Sequence, residues 1–439
     1  MKNVVTVSLG SSDKDYEFET KFLGQDFKVS RLGANGDDTQ AWELLRRAQA
    51  DADAIGLGMI RDHYDVGTRR FEHDDTDKLL SVVTRVPATT GASLRRMLQV
   101  RAVRHAQKTL GSYFNNNLVL FLSGMANYEI AVELQRYTPN LKFADAVLKT
   151  GAPKMLTSIN QLELFATGSK MAEGLWPARM LGAVLPKLSK VKAAFLASEM
   201  AESQVIVGTF EDIRALAGEG NLEGKTLITS AIDDERLAWL KKQKVNLAID
   251  TCPQPFEEVV GVNVIEAMIL AATGLSPQEL ADDDLEEIID ELKLEPRMLH
   301  PTGKFRNIRR FAFVIHPLSQ EAIKSGFKML PKATPKTVMN QVEKAAAFMP
   351  PRVYCKMSNI VSPTGSEAEG WLIAVGGTPK EMLSRSPEFT YRRLLAAADM
   401  AQDMGAQLIG LGAFTKVVGD AGITVARRAP LPVTTGNSY

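Results

Sequence analysis

Two glycine pairs are the first residues whose spacing suggests chemistry. Gly56-Leu57-Gly58 and Gly410-Leu411-Gly412 each carry the opening of the G-x-G-x-x-G turn that wraps a dinucleotide pyrophosphate. Arg61 and Thr415 stand where the third glycine belongs, the one that lets helix and strand pack closely. Taken alone, both turns read as tight connections between packed elements. A third segment, Ser8-Leu9-Gly10-Ser11-Ser12, offers backbone N–H groups and hydroxyls of the kind that cradle phosphate.

Histidine and cysteine add little chemistry. Asp62-His63 and His73-Asp74-Asp75 gather metal-binding residue types, but their spacing fixes them on no common helix or hairpin. Neither a His-x-x-x-His nor a Glu-x-x-His pair occurs among the five histidines, so no metal site is expected. His105 lies in an arginine-rich helical stretch, and His300 and His316 each precede a proline that ends an element. Cys252 follows Ile249-Asp250-Thr251 at the carboxyl end of an expected parallel strand, where ligands gather; its default role is structural. Cys355, between Arg352 and Lys356, reads as a small buried hydrophobe. No catalytic residue is assigned.

The elements that must position these residues alternate between strand and helix. Val4 to Gly10, Ala54 to Ile60, Leu118 to Gly124, Lys142 to Val147, Ala193 to Ala197 and Val205 to Gly208 read as strands. Asp38 and Thr39 are suited to cap a helix striped by Trp42, Leu44, Leu45 and Ala48. The clearest unit is Thr226–Ser230, a helix from Asp233 to Gln243, then Val245–Asp250, a compact βαβ that implies a parallel sheet. The acidic run from Asp282 to Glu295 spaces Leu285, Ile288, Ile289 and Leu292 as one face of a helix. The composition shifts near residue 300. Beyond it lie a strand at Phe311–Ile315, a helix from Ser319 to Gly326 and a polar loop at 358–370. A strand at Trp371–Val375, a helix from Thr390 to Met404 and a strand from Gln407 into the second glycine turn complete the series.

The fold class is therefore α/β, with Rossmann-like parallel layers in residues 1–300 and a smaller α/β domain after them. The expected domains are 1–117, 118–300 with its βαβ unit at 225–250, and 301–439. The chain has 439 residues, room for about three domains at roughly 150 residues each. Lys plus Arg and Asp plus Glu each number 52, so no overall field draws nucleic acid. No stretch reaches the roughly 18–20 uncharged apolar residues of a membrane span. Two cysteines cannot staple a secreted scaffold. A cytoplasmic protein with no integral membrane segment is expected.

Three blocks carry a family likeness: FAFVIHPLSQEAIKSGFK (311–328), FTYRRLLAAADMAQDMGAQLIGLGAFTKVV (389–418) and VTTGNS (433–438). In order and spacing they resemble the N-terminal part of the long-chain acyl-[acyl-carrier-protein] reductases, the aldehyde-forming enzymes of cyanobacteria. The resemblance is confined to residues 311–439. It implies transfer of an acyl group from its carrier to a cysteine and reduction of the thioester by NADPH. It implies that Gly410, Gly412, Phe414, Thr415, Lys416, Thr434, Thr435, Gly436 and Asn437 line a cleft for a small-molecule or acyl-carrier substrate. It also implies that NADP or NAD is bound mainly by a domain beyond Tyr439, before which this chain stops. Lys416 departs from the family by standing near the place of a small serine; it is either a cation for a phosphate or carboxylate, or plain surface. The expected function is the front portion of an NAD(P)H-dependent oxidoreductase reducing an acyl thioester or related carbonyl to the aldehyde. The alternative is a non-catalytic ligand-sensing or scaffolding module fused to a reductase-like domain.

Overall fold

The apolar run at the N-terminus forms β1 (Lys2–Ser8) in the computed structural model, which describes residues 1–60, 63–173, 188–218, 220–326, 334–412 and 420–435. Val4 to Ser8 are all buried, as befits a central strand covered on both faces. It pairs in parallel with β3 (Gln25–Gly33) and β4 (Ala54–Gly58). β2 (Tyr16–Phe22) closes one edge antiparallel to β3, its burial alternating residue by residue. A small hairpin, β5 (Tyr64–Val66) with β6 (Arg69–Phe71), precedes β7 (Ala88–Thr89), which completes the order β2-β3-β1-β4-β7. Helices Asp38–Ala48 and Asp74–Val82 bury Ala41, Leu45 and Leu79 against Val5, Val7 and Leu57 on one face.

The other face takes a helix from far along the chain. Val262–Thr273 has ten of its twelve residues buried, the pattern of a helix enclosed on all sides, and it lies against β1 and β4. Helix Ala92–Thr109 packs beside it through Leu94 and Leu98. The outer arginines of that helix meet the acidic segment: Arg96 pairs with Asp282, Arg101 with Asp290 and Glu295, and His105 with Glu295. Two charge runs almost 190 residues apart in sequence are thus one exposed interface, each pair contributing about 0–1 kcal/mol.

The second sheet contains β8 (Val119–Phe121), β9 (Leu141–Phe143), β10 (Val205–Val207), β11 (Thr226–Thr229), β12 (Leu247–Asp250) and β13 (Arg297–Leu299), in the order β13-β12-β11-β10-β8-β9. All its pairs are parallel except β12 with β13. The expected βαβ unit is present: Thr226 to Thr229 pair with Leu247 to Asp250, and Asp233 caps the helix Asp234–Lys242 by accepting the Arg236 N–H at 2.8 Å.

The third sheet contains β14 (Ile308–Ile315), β15 (Arg352–Val361), β16 (Glu367–Ala374), β17 (Leu408–Leu411) and β18 (Val433–Thr434), ordered β15-β16-β14-β17-β18. Only β15 runs antiparallel. Helix Pro387–Asp403 covers one face, packing Leu394, Ala397, Ala398 and Ala401 with Ala312, Val314, Ile373, Ile409 and Leu411. By contacts the chain divides into two compact units, Met1–Tyr113 with Val119–Phe305, and Phe114–Leu118 with Arg306–Tyr439. The first two sheets lie in the first unit and the third in the second. The molecule is thus mixed α/β with parallel pairing in all three large sheets.

Four local expectations need correction. The N-cap of the first helix is Asp37, whose carboxylate accepts the Thr39 and Gln40 N–H groups, one residue earlier than expected. The strand expected at Lys142–Val147 ends at Phe143, because Asp145 opens the helix Asp145–Thr150. Ala193–Ala197 is no strand but the middle of helix Leu188–Glu202; its Ala, Leu, Glu and Lys content favours helix over the whole span. The polar loop at 358–370 contains the end of β15, a turn at Ser362–Ser366 and the start of β16. An edge strand that is exposed nearly throughout lacks the apolar alternation that announces a strand.

Candidate functional site

The second unit concentrates the residues expected to line a cleft. β14 connects onward toward β16 on one side, while β17, on its other side, leads to β18. The strand order reverses between β14 and β17, and ligands of open α/β sheets bind outside the carboxyl ends of such strands. In register, Phe313 lies beside Gly410, and Gly410 beside Thr434. The structure therefore brings Gly410, Gly412, Thr434 and Thr435 to one sheet edge, although some twenty residues separate the two pairs. Phe414, Thr415, Lys416, Gly436 and Asn437 lie outside the described residues, as do Arg61 and Asp62.

The glycines of the turn have a packing explanation. A Cβ on Gly410 would stand 2.5 Å from Cδ2 of Phe313, whose ring occupies the space. At Gly412 the added carbon would lie 3.0 Å from the Val314 carbonyl, to which the Gly412 N–H donates at 3.1 Å. Neither contact is a pyrophosphate cradle, so the described residues here do not fit the phosphate-binding role of a dinucleotide fold.

Other polar groups flank the edge. Asp420 accepts from the Thr424 N–H at 2.9 Å, its hydroxyl at 2.6 Å and the Tyr391 hydroxyl at 3.2 Å. The Thr424 hydroxyl holds the Asp420 carboxyl below its ordinary value. Gly422, at φ 90°, turns the chain into helix Ile423–Arg428, and a Cβ there would touch Leu411 and the Thr435 methyl. His316 directly follows β14 at the strand-order reversal. Its half-buried ring is pushed toward the neutral form by desolvation, and Nδ1 lies 3.3 Å from the Pro317 carbonyl. In sequence His316 looks like an element end; its position directly after a central parallel strand is the signal that singles it out.

Cys252 is buried as expected, its thiol pushed up first by desolvation and then by Asp250, with Sγ 3.2 Å from the Val260 carbonyl. Cys355, expected to be a small buried hydrophobe, is not: it is partly exposed within β15, an edge strand with solvent on most of its residues. No cluster of His, Cys, Asp and Glu able to hold a metal ion occurs among the described residues. Among them, too, no helix is long and apolar enough to cross a membrane.

The solved structures that resemble this chain do so weakly. A hetero-hexameric glutamate dehydrogenase from Thermus thermophilus in its leucine-bound form gives a TM-score of 0.29 at 11% identity, over 67% of this chain and 77% of that one. A Mycobacterium smegmatis protein in complex with β-D-fucofuranose gives 0.29 at 11%, over 68% and 99%. Scores this low leave the fold to be read from the sheets themselves. Among curated proteins, aminotransferase PigE of Serratia sp. (strain ATCC 39006) is 35% identical over 85 residues, 19% of this chain. The chain spans about a tenth of the length of that relative. Two family models, each described as a domain of unknown function, match the first unit: DUF8753 over residues 3–90 and DUF8754 over residues 93–301.

Proposed function

We propose that residues 306–439 form the substrate-facing domain of an NAD(P)H-dependent oxidoreductase that reduces an acyl thioester, or a related carbonyl compound, to the aldehyde. One observation carries the reading: the register Phe313–Gly410–Thr434, which sets the glycine turn and the two threonines side by side next to the strand-order reversal. The family likeness of the three sequence blocks supports the same substrate class. Thr434 and Thr435 carry hydroxyls able to donate to a carbonyl oxygen. Since the described edge does not fit a pyrophosphate, the dinucleotide is assigned to none of these residues.

The test is titration of the protein with hexadecanoyl-CoA, followed by calorimetry, beside the variant T434V/T435V. Saturable binding, weakened about tenfold for each hydrogen bond lost, is expected. Absence of saturable binding to the wild type, or equal binding by the variant, refutes the assignment.

One observation favours the non-catalytic alternative. Phe313 and Val314 account for both glycines of the turn without any ligand. Under that reading the second unit ignores acyl thioesters, while the first unit still binds a ligand.

A further inference from the structure

The phosphate cradle expected at Ser8–Ser12 is spent on the protein itself. The Leu9 N–H donates to the Gly58 carbonyl at 3.1 Å, Gly10 to Ser8 Oγ at 3.1 Å and Ser12 to Asn35 Oδ1 at 2.8 Å. Beside it lies a different arrangement. In the parallel pairing of β1 with β4, Thr6 is next to Gly56 and Ser8 next to Gly58. The first turn of helix Val262–Thr273 sits over β4. A Cβ on Gly56 would come within 2.9 Å of the Asn263 carbonyl and of Thr6 Oγ1, so glycine there is a condition of the helix's approach. Gly58 is different. A Cβ there would stand 3.3 Å from Ser8 Oγ and 3.4 Å from Asn263 Nδ2, so the bare Gly58 α-carbon faces two polar groups that a methyl would crowd.

Both groups offer hydrogens. Ser8 Oγ accepts from the Gly10 N–H and from Arg31 Nη2, each at 3.1 Å, so its own hydrogen remains to donate. Asn263 is 8% exposed, and its Nδ2 is buried with no hydrogen-bond partner. Two helices also begin here. Gly91, at φ 80°, abuts Asn263, the place of its Cβ lying 2.6 Å from the Asn263 backbone nitrogen. Helices Ala92–Thr109 and Val262–Thr273 thus start side by side, each with a glycine N-cap and no side-chain acceptor on the cap. Glu266 already answers part of that positive field, accepting the Leu94 N–H at 2.7 Å and the Thr89 hydroxyl. Arg95 donates to the Thr90 carbonyl at 3.0 Å, and Arg31 pairs with Asp15 at 2.8 Å.

Two converging donors and two helix N-termini call for an acceptor oxygen that carries negative charge. We propose that this edge binds a small oxyanion, the carboxylate or phosphate group of a metabolite, with one oxygen above the bare Gly58 backbone accepting from Ser8 Oγ and Asn263 Nδ2. The remainder of the ligand extends toward the second sheet. Lys14, just beyond β1, lies 3.5 Å from Asp233 and 3.7 Å from Glu235, just beyond β11, so the exit loops of the two sheets meet. The site belongs to the first unit and does not depend on the reductase reading of the second.

The test is calorimetric titration of the full chain with inorganic phosphate and, separately, with succinate. Saturable binding of at least one probe is expected. Gly58→Ala sets a methyl against both donors and lowers affinity tenfold or more. Asn263→Asp sets a carboxylate against the oxyanion and lowers it further. Should Gly58→Ala fail to fold, Ser8→Ala, which removes a donor and adds no bulk, decides by the same criterion. The proposal is overturned if neither probe binds saturably, or if the variant that folds binds as the wild type does.

Discussion

Asp250→Asn is the sharpest test of what holds the second sheet together. Asp250 is fully buried at the end of β12. One carboxylate oxygen accepts the Ala231 N–H at 2.8 Å and the Cys252 N–H at 2.9 Å. The other accepts the Ile232 N–H at 2.9 Å and the Arg297 guanidinium. Asparagine keeps the shape but turns one acceptor into a donor that faces other donors. Breaking a buried ion pair by neutralising one partner costs about 3–5 kcal/mol. Counting instead two charge-assisted bonds lost, at about 1.5–3 kcal/mol each, gives about 3–6 kcal/mol. The two routes agree. Urea unfolding read by pulse proteolysis, with fragments of residues 1–305 and 306–439 assigned by mass, isolates the unit concerned. Asp145→Asn is the control: Asp145 takes the Gly124 and Met125 N–H groups at 2.7 and 3.1 Å, with no guanidinium among these partners. It should cost roughly 1–3 kcal/mol, the cost of a disrupted buried hydrogen bond. If Asp250→Asn cost under about 1 kcal/mol, or no more than Asp145→Asn, the ion-pair reasoning would fail.

Gly410→Ala should destabilise the second unit by about 1–3 kcal/mol, because the new methyl enters the Phe313 ring. Adding Phe313→Leu should recover part of that loss, and strict additivity in the double-mutant cycle would contradict the packing explanation. Thiol titration of the native protein should label Cys355 first and Cys252 only after unfolding, since burial keeps the Cys252 thiol protonated. Burial lowers the folded pKa of His316, so its contribution to stability is fully present above the unfolded value of about 6.5 and is lost as pH falls through the lower folded value. The urea midpoint of His316→Asn should accordingly drop less than that of wild type between pH 7.5 and pH 5; parallel curves would count against a desolvated ring.

What the sequence made legible was set by how local the responsible forces are. The βαβ unit from Thr226 to Asp250 could be read because its apolar strands, N-cap and amphipathic helix are all encoded within the segment itself. Ala193–Ala197 misled because five apolar residues fit either a strand or a turn of helix, and only the flanking residues decide. The partnership of Arg96 and Arg101 with Asp282 and Asp290 was invisible: each run looks like an ordinary solvated face until the fold brings them together. The register that sets Gly410 beside Thr434 is likewise a property of strand order. Asn263 is the clearest case. In sequence it is a polar interruption of an apolar run, and only the glycines of β4 beneath it show why a polar residue sits there.

Asp145 and Asp250 bear on how buried carboxylates should be read in such folds. Each follows or ends a parallel strand of the second sheet, β9 or β12, and each accepts two consecutive N–H groups from the loop leaving the neighbouring strand, β8 or β11. A loop that leaves a parallel strand without entering a helix at once has backbone donors that no ladder satisfies, and a carboxylate on the next strand is well placed to take them. Asp145 therefore has its acceptor capacity committed to backbone, and Asp250 to backbone and the Arg297 guanidinium. Burial raises the Asp145 carboxyl while those same N–H groups lower it, so its perturbation measures the closure of a loop rather than readiness to move a proton. Asn263 inverts that condition, being a buried donor with nothing to donate to. On this ground the carboxyl edge of the first sheet is a place in the first unit where a ligand is called for.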